Sequence, residues 1–285
     1  MIHILNLMKE LQHVGLVFLT WRAPKTLRKT LERISQSLPI HSFGDAVIYA
    51  QEITQHDRDL ANEFGLRIVG NNQNVGILAG MKEAVASSKL DVVLYLECDC
   101  LLVEPESLFL KTIVDGYNAI ETGKLDVLRL RHLRETGADY NTLKHLKYWG
   151  DKREHKRVKS RMMRLLRPRK ASRLIGDACL LHSRAEEVFP KNIYRMEENI
   201  YCMRSSNINW TNQSIMISKE WFLNTIIPYA ESHPSSRLVN GYLDLEKEMN
   251  CEWWRKQKFR VGWADPGLFT HARMDRPVGD EKLKT

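Results

Sequence analysis

The sequence predicts one α/β domain built on a mostly parallel sheet flanked by helices, with an elaborated C-terminal half. Three observations predict it. Four short apolar runs alternate with three helical patterns before residue 100, the signature of βαβ units. The runs are continuous rather than alternating in polarity, as strands covered on both faces are. A chain of 285 residues with 43% apolar content is long enough to bury one large core.

The elements follow in order. Gly15 to Thr20 is short, apolar and rich in strand formers, which predicts a buried strand. Pro24 suits the first turn of a helix; Leu27, Leu31, Ile34 and Leu38 recur at helical spacing until Pro39 stops them. Val47 to Gln51 predicts the second strand, Gln55 to Phe64 a polar helix ended by Gly65, and Leu66 to Val69 the third strand. Asn74-Val-Gly76 opens a helix whose Ile77, Met81, Ala84 and Val85 face inward, and Asp91 to Leu96 is the fourth strand. Further on, the pattern predicts a helix from Pro105 to Ile120 and strands at Leu125 to Leu130 and Leu174 to Leu181. It then predicts a helix over Arg195 to Met203, a strand at Ser214 to Ile217 and helices over Lys219 to Tyr229 and Gly241 to Gln257. A last strand is expected at Phe259 to Gly262. Residues 14–104 read as a nucleotide-binding half and 105–285 as an acceptor and catalytic half of the same domain.

The formal charge of +8 is uneven. Between Lys144 and Arg173 thirteen Lys or Arg face two acids, a net of +11, so the remainder sums to about −3. The basicity belongs to a segment rather than to the fold, which argues against a nucleic-acid-binding protein as the main reading. It suits a solvated excursion, peripheral contact with an anionic membrane, or a phosphate-bearing ligand. Five scattered cysteines without a C-x-x-C pair suggest neither a disulfide framework nor a zinc knuckle, and point to a reducing compartment. Met1 to Thr20 carries Lys9, Glu10 and His13 within its apolar pattern and does not read as a secretory signal. A cytoplasmic protein, peripheral at a membrane where the basic segment meets one, is expected.

The chemistry is concentrated in Leu94-Tyr-Leu-Glu97-Cys-Asp99. Two carboxylates one residue apart stand where an apolar strand leaves the sheet, the place where α/β folds bind ligands. Strand spacing aims both to one side. Carboxylate oxygens together with substrate phosphates suit Mg²⁺, and Mn²⁺ also accepts imidazole, so the pair can clamp a metal onto a diphosphate. Asn74 is a natural helix cap, and Gly76 permits close backbone approach. A sugar nucleotidyltransferase, which uses similar carboxylates, wants a Gly-rich basic loop after the first strand. Thr20-Trp-Arg-Ala-Pro24 has no glycine.

In the order of these motifs, residues 14–104 resemble GT-A fold glycosyltransferases of the family 2-like branch. Thr20-Trp21-Arg22 looks like the turn after their first strand, Asn74-Val-Gly76 like their N-x-G segment, and Glu97-Cys98-Asp99 like their D-x-D motif with Glu in the first place. The resemblance implies a Rossmann-like sheet and transfer of a sugar from a nucleotide-diphosphate sugar to a glycan or glycolipid acceptor, with Mn²⁺ or Mg²⁺ held by Asp99 and Glu97. It implies that Thr20, Arg22, Glu52, Asn74, Gly76 and Glu97 surround the nucleotide sugar and that His271, near the C-terminus, is a third metal ligand or a diphosphate contact. A catalytic base is expected from the acidic pair Glu197 and Glu198, with Glu198 favoured by the family's acidic-pair pattern. An inverting reaction needs such a carboxylate to take the acceptor hydroxyl's proton.

Overall fold

The computed structural model describes residues 7–137, 142–150 and 158–275. Its N-terminal half follows the predicted order: strand β1 (Val14–Trp21), helix Pro24–Ser37, β2 (Asp45–Gln51), helix Gln55–Glu63, β3 (Arg67–Asn71), helix Gly76–Ala86, β4 (Val92–Glu97) and the short β5 (Cys100–Leu102). β1 lies between β2 and β4, all parallel, and β3 pairs with the far side of β2. Helix Gln55–Glu63 begins with a capping box in which Thr54 and Asp57 satisfy each other's backbone donors. The chain alternation of β1 divides the core. Leu16 and Phe18 pack with Leu27 and Leu31 on one face of the sheet, and Val17 and Leu19 with Met81 and Val85 on the other.

The C-terminal half extends the sheet with β6 (Val127–Arg129), β7 (Ile193–Glu197), β8 (Ile200–Arg204), β9 (Ile215–Ser218) and β10 (Arg260–Ala264). The nine strands lie in the order β3-β2-β1-β4-β9-β6-β10-β8-β7. β9 runs antiparallel between β4 and β6, and β8 antiparallel to β10, so the sheet is mixed beyond β4. β11 (Phe269–His271) leaves the main sheet and pairs with β5, setting His271 opposite Cys100. That small second sheet draws the end of the chain to the C-terminal edge of β4.

Three predicted elements differ. Arg195 to Met203 is not a helix: β7 and β8 form a hairpin that turns at Glu198-Asn199. Leu174 to Leu181 is not a strand but a turn leading into the short helix Ala178–Leu181, pinned where Gly176 N–H donates to the Asn207 carbonyl at 2.8 Å. The expected helix over Gly241 to Gln257 is split into Leu245–Met249 and Glu252–Gln257. The Asn250 side chain between them accepts from Trp210 N–H at 2.8 Å and donates to the Trp210 carbonyl at 3.2 Å. Trp254 is core, with its indole N–H donating to the Ile208 carbonyl, and Trp253 stacks on Tyr229 at 3.9 Å. Among the described residues no helix is long and apolar enough to cross a membrane. The five cysteines are unbridged, and Cys98 and Cys100 both pack in the core.

Candidate active site

Because β1, β2 and β4 are parallel, their C-terminal ends open on one edge, and a cleft of about 910 Å³, counting space open to solvent, lies there. Its walls include Thr20 and Trp21 from β1, Gln51 from β2, Asn74 and Gly76 from the next loop, and Glu97 and Asp99 from the end of β4. Asn240, Tyr242 and Arg273 close it from the C-terminal half.

Asp99 stands in the turn between β4 and β5 and is buried. Its Oδ2 lies 3.0 Å from His271 Nε2, while Oδ1 is buried without a hydrogen-bond partner. A buried carboxylate oxygen without a donor is costly unless something binds it. The β5–β11 pairing fixes this geometry, with Ala272 N–H donating to the Asp99 carbonyl at 2.8 Å. Glu97 lines the cleft one residue before the turn. Burial, then the charges of Asp99, Glu246 and Asp244, push its carboxyl well above the usual carboxylate range. Among the described residues no three His, Cys, Asp or Glu side chains converge on one point; of the three expected ligands, Asp99 and His271 are in contact and Glu97 lines the same cleft as Asp99. Two protein ligands with an unsatisfied oxygen fit a Mg²⁺- or Mn²⁺-type ion whose remaining ligands come from a diphosphate.

Of the other expected donor-side residues, Thr20, Asn74 and Gly76 line the cleft. The Asn74 side chain accepts from Gly76 N–H at 2.8 Å and so shapes its own loop. Gly76 has a φ of 81°, and a Cβ there would collide with Tyr242. The close approach that needs glycine is thus by the opposite wall of the cleft. Gln51 holds the same loop, its Oε1 accepting from Val75 N–H at 2.7 Å. Arg22 and Glu52, each one residue beyond a cleft-lining strand end, bond to each other rather than into the cleft, and both have left-handed backbone, φ 48° and 53°.

The acidic pair Glu197 and Glu198 is exposed, at the hairpin between the two outermost strands. β8 is four strand positions from β4, about 19 Å at the usual strand spacing. The structure does not bring this pair to the cleft, because the segment is a hairpin rather than a helix directed inward. Two carboxylates that sequence reading missed, Asp244 and Glu246, act on Glu97 from outside the lining of the cleft. Asp244 is buried, caps helix Leu245–Met249 by accepting from Glu246 N–H at 3.1 Å, and accepts from Asn212 Nδ2 at 3.2 Å. Glu246 is half-buried, and its carboxyl is raised by burial and by Asp244, against hydrogen bonds from the Thr211 hydroxyl and the Asn212 backbone. Both contribute to the field on Glu97. Their signal was available: Asn240-Gly241 marks a turn, and Asp244-Leu-Glu246 repeats the spacing of Glu97-Cys-Asp99 just after it.

Glu246 lines a second, cationic cleft together with Arg129, Arg131, Lys144 and Asp177, which continues past Asn209 and Asn250 to Arg173 and Lys247. Burial pushes Asp177 up to about 6, opposed by Arg129, Arg173 and Lys144. The ends of the basic segment, Lys144 and Arg173, thereby form part of this wall.

The sheet order, the carboxylate turn after β4 and the small β5–β11 sheet define a GT-A, Rossmann-like domain. No family model matches the sequence, and no curated protein does. Solved structures do match. S. aureus TarS, residues 1–349, aligns with 91% of this chain and 60% of its own at 11% identity and a TM-score of 0.53. A mycobacterial protein aligns over 96% of this chain and 73% of its own at 12% identity with a TM-score of 0.49. The mannosyltransferase PcManGT from Pyrobaculum calidifontis, solved with GDP-Man and Mn²⁺, aligns over 41% of this chain and 35% of its own, at 11% identity and a TM-score of 0.35. Of these three, TarS is similar enough to bear on the fold, and the chain spans about three fifths of its length.

Proposed function

We propose that this chain is a metal-dependent, inverting glycosyltransferase that moves a sugar from a nucleotide-diphosphate sugar to an acceptor hydroxyl. The observation that carries the reading is Asp99, a buried carboxylate with one oxygen on His271 and the other without a partner, at a cleft on the carboxyl edge of the sheet. Asp99 and His271 hold the cation, with Glu97 beside them, and Thr20, Trp21, Asn74 and Gly76 enclose the nucleotide. A Mn²⁺ or Mg²⁺ ion bound there supplies charge neutralisation to the departing nucleoside diphosphate. Glu246 is the base in place of Glu197 or Glu198. It lines the cationic cleft, its charge acts on Glu97 in the nucleotide cleft, and its raised pKa makes it a stronger base than an ordinary carboxylate. The acceptor enters along the cationic side, so Glu246 removes its hydroxyl proton as the oxygen attacks the anomeric carbon.

A hydrolysis screen over common donors, with and without Mn²⁺, tests the reading without a known acceptor. UDP-GlcNAc and GDP-Man head the panel, since S. aureus TarS has been solved with the first and PcManGT with the second. Metal-dependent release of nucleoside diphosphate from at least one donor is expected, and its absence across the panel at high enzyme concentration counts against the assignment.

A further inference from the structure

Helix Val158–Leu166 lies inside the basic segment, and its surface is inverted relative to an ordinary surface helix. Val158 is 81% exposed, Met162 54%, Leu165 74% and Leu166 70%. At 3.6 residues per turn these four fall within an arc of about 100°. The opposite side seats the helix on the protein. Ser160 is buried, Met163 packs against the small cluster of Tyr148, Ala171 and Leu174, and Arg164 lies over the Trp149 ring at 4.9 Å while donating to the Tyr148 carbonyl at 2.6 Å. The apolar stripe therefore points away from the core, and rotation of the helix would break these contacts.

The exposed cations Lys159 and Arg161 fall on the two borders of that arc, and exposed Arg167 and Arg169 follow the helix. An outward apolar stripe bordered by cations on both sides is the arrangement of a helix that lies in a lipid interface, with aliphatic side chains among the acyl chains and cations at the headgroups. Leu143, 74% exposed in the neighbouring helix Leu143–Trp149, adds to the apolar surface of the segment. A protein partner would be served by the apolar stripe alone. The flanking positive charge selects an anionic surface.

We propose that helix Val158–Leu166 docks the protein, in the plane of the interface, on a membrane rich in anionic phospholipid. The same segment contributes Lys144 and Arg173 to the cationic cleft, so docking brings the membrane to the segment that borders it. The docking does not depend on the transferase reading.

Full-length protein is sedimented with vesicles of equimolar phosphatidylglycerol and phosphatidylcholine, and with phosphatidylcholine alone, at low and high salt. Binding to the anionic vesicles is expected, weaker at high salt and on the neutral vesicles. Lys159→Gln/Arg161→Gln should lower the partition coefficient about thirtyfold. Leu165→Ser/Leu166→Ser should lower it by about tenfold or more, even at low salt. Both pairs are exposed, so thermal unfolding and donor hydrolysis in solution should stay as in the parent protein. Absence of vesicle binding by the parent, or equal binding by the Leu165→Ser/Leu166→Ser variant, overturns the proposal. So does a parent dimer that this variant converts to monomer without any vesicle binding, which would assign the stripe to a second copy of the chain.

Discussion

Replacing Glu246 by Gln keeps the volume of the side chain and an oxygen able to accept from the Thr211 hydroxyl, while removing its capacity to take a proton. General base catalysis contributes about 10² to 10⁴-fold, or about 3–5 kcal/mol of activation free energy, and burial raises the pKa of Glu246, which strengthens it as a base. Turnover of the best donor should therefore fall by about a hundredfold or more. Because Glu246 lines the cationic cleft and not the nucleotide cleft, nucleoside-diphosphate affinity in Mn²⁺ should change little. Glu198→Gln is the control: exposed at the β7–β8 turn, it should alter turnover by less than about twofold. Steady-state release of nucleoside diphosphate and calorimetric nucleotide binding on both variants decide the matter. A Glu246→Gln enzyme within about threefold of the parent refutes the assignment, and a hundredfold loss in Glu198→Gln restores the pair that the sequence suggested.

Three further outcomes follow from the geometry. Gly76→Ala should destabilise the protein by about 1–3 kcal/mol in urea unfolding, because φ is 81° and the added methyl meets Tyr242; an unchanged midpoint contradicts that. Asp177 has its carboxyl raised from 3.8 to about 6, so the folded state holds the proton more tightly and wild-type stability falls as pH rises between those values. Asp177→Asn should thus be more stable than the parent at pH 7, by at most about 3 kcal/mol, with the gap closing below about pH 4; a gap independent of pH contradicts it. Lys144→Gln/Arg173→Gln should raise KM for a phosphate-bearing acceptor by about tenfold while leaving donor hydrolysis unchanged, and an unchanged KM removes the cationic cleft from acceptor binding.

The N-terminal half was legible because β1, β2 and β4 are buried along nearly their whole length and its helices present apolar stripes, so sequence period and burial coincide. Asp99 was legible for the same reason, since the end of β4 is fixed by the apolar run before it. The C-terminal half obeys longer-range causes. β8 is enclosed between β10 and β7, and Ile200 to Met203 are all buried, so the run lacks the alternation that marks a strand. With acids before it, such a run resembles the first turn of a helix. Asp244 and Glu246 were hidden inside an apparent long helix, and the break at Asn250 depends on its bonds to Trp210, forty residues away in sequence. His271 was one of ten histidines until the β5–β11 pairing set it against Asp99. Lys156 and Arg157, the densest part of the basic run, lie outside the described residues, whereas Lys159 and Arg161 border the exposed apolar stripe.

Whether Asp99 holds a cation on a diphosphate is measured by calorimetric titration of UDP and GDP into parent and Asp99→Asn protein, with Mn²⁺ and with chelator. The parent should bind one of the two in a Mn²⁺-dependent manner, and Asp99→Asn, which keeps the shape but not the charge, should bind at least about a hundredfold more weakly, a loss of about 3 kcal/mol. Asp99→Asn protein that stays folded and binds the nucleotide with parental affinity in Mn²⁺, or a parent whose binding is the same in chelator, would contradict the account.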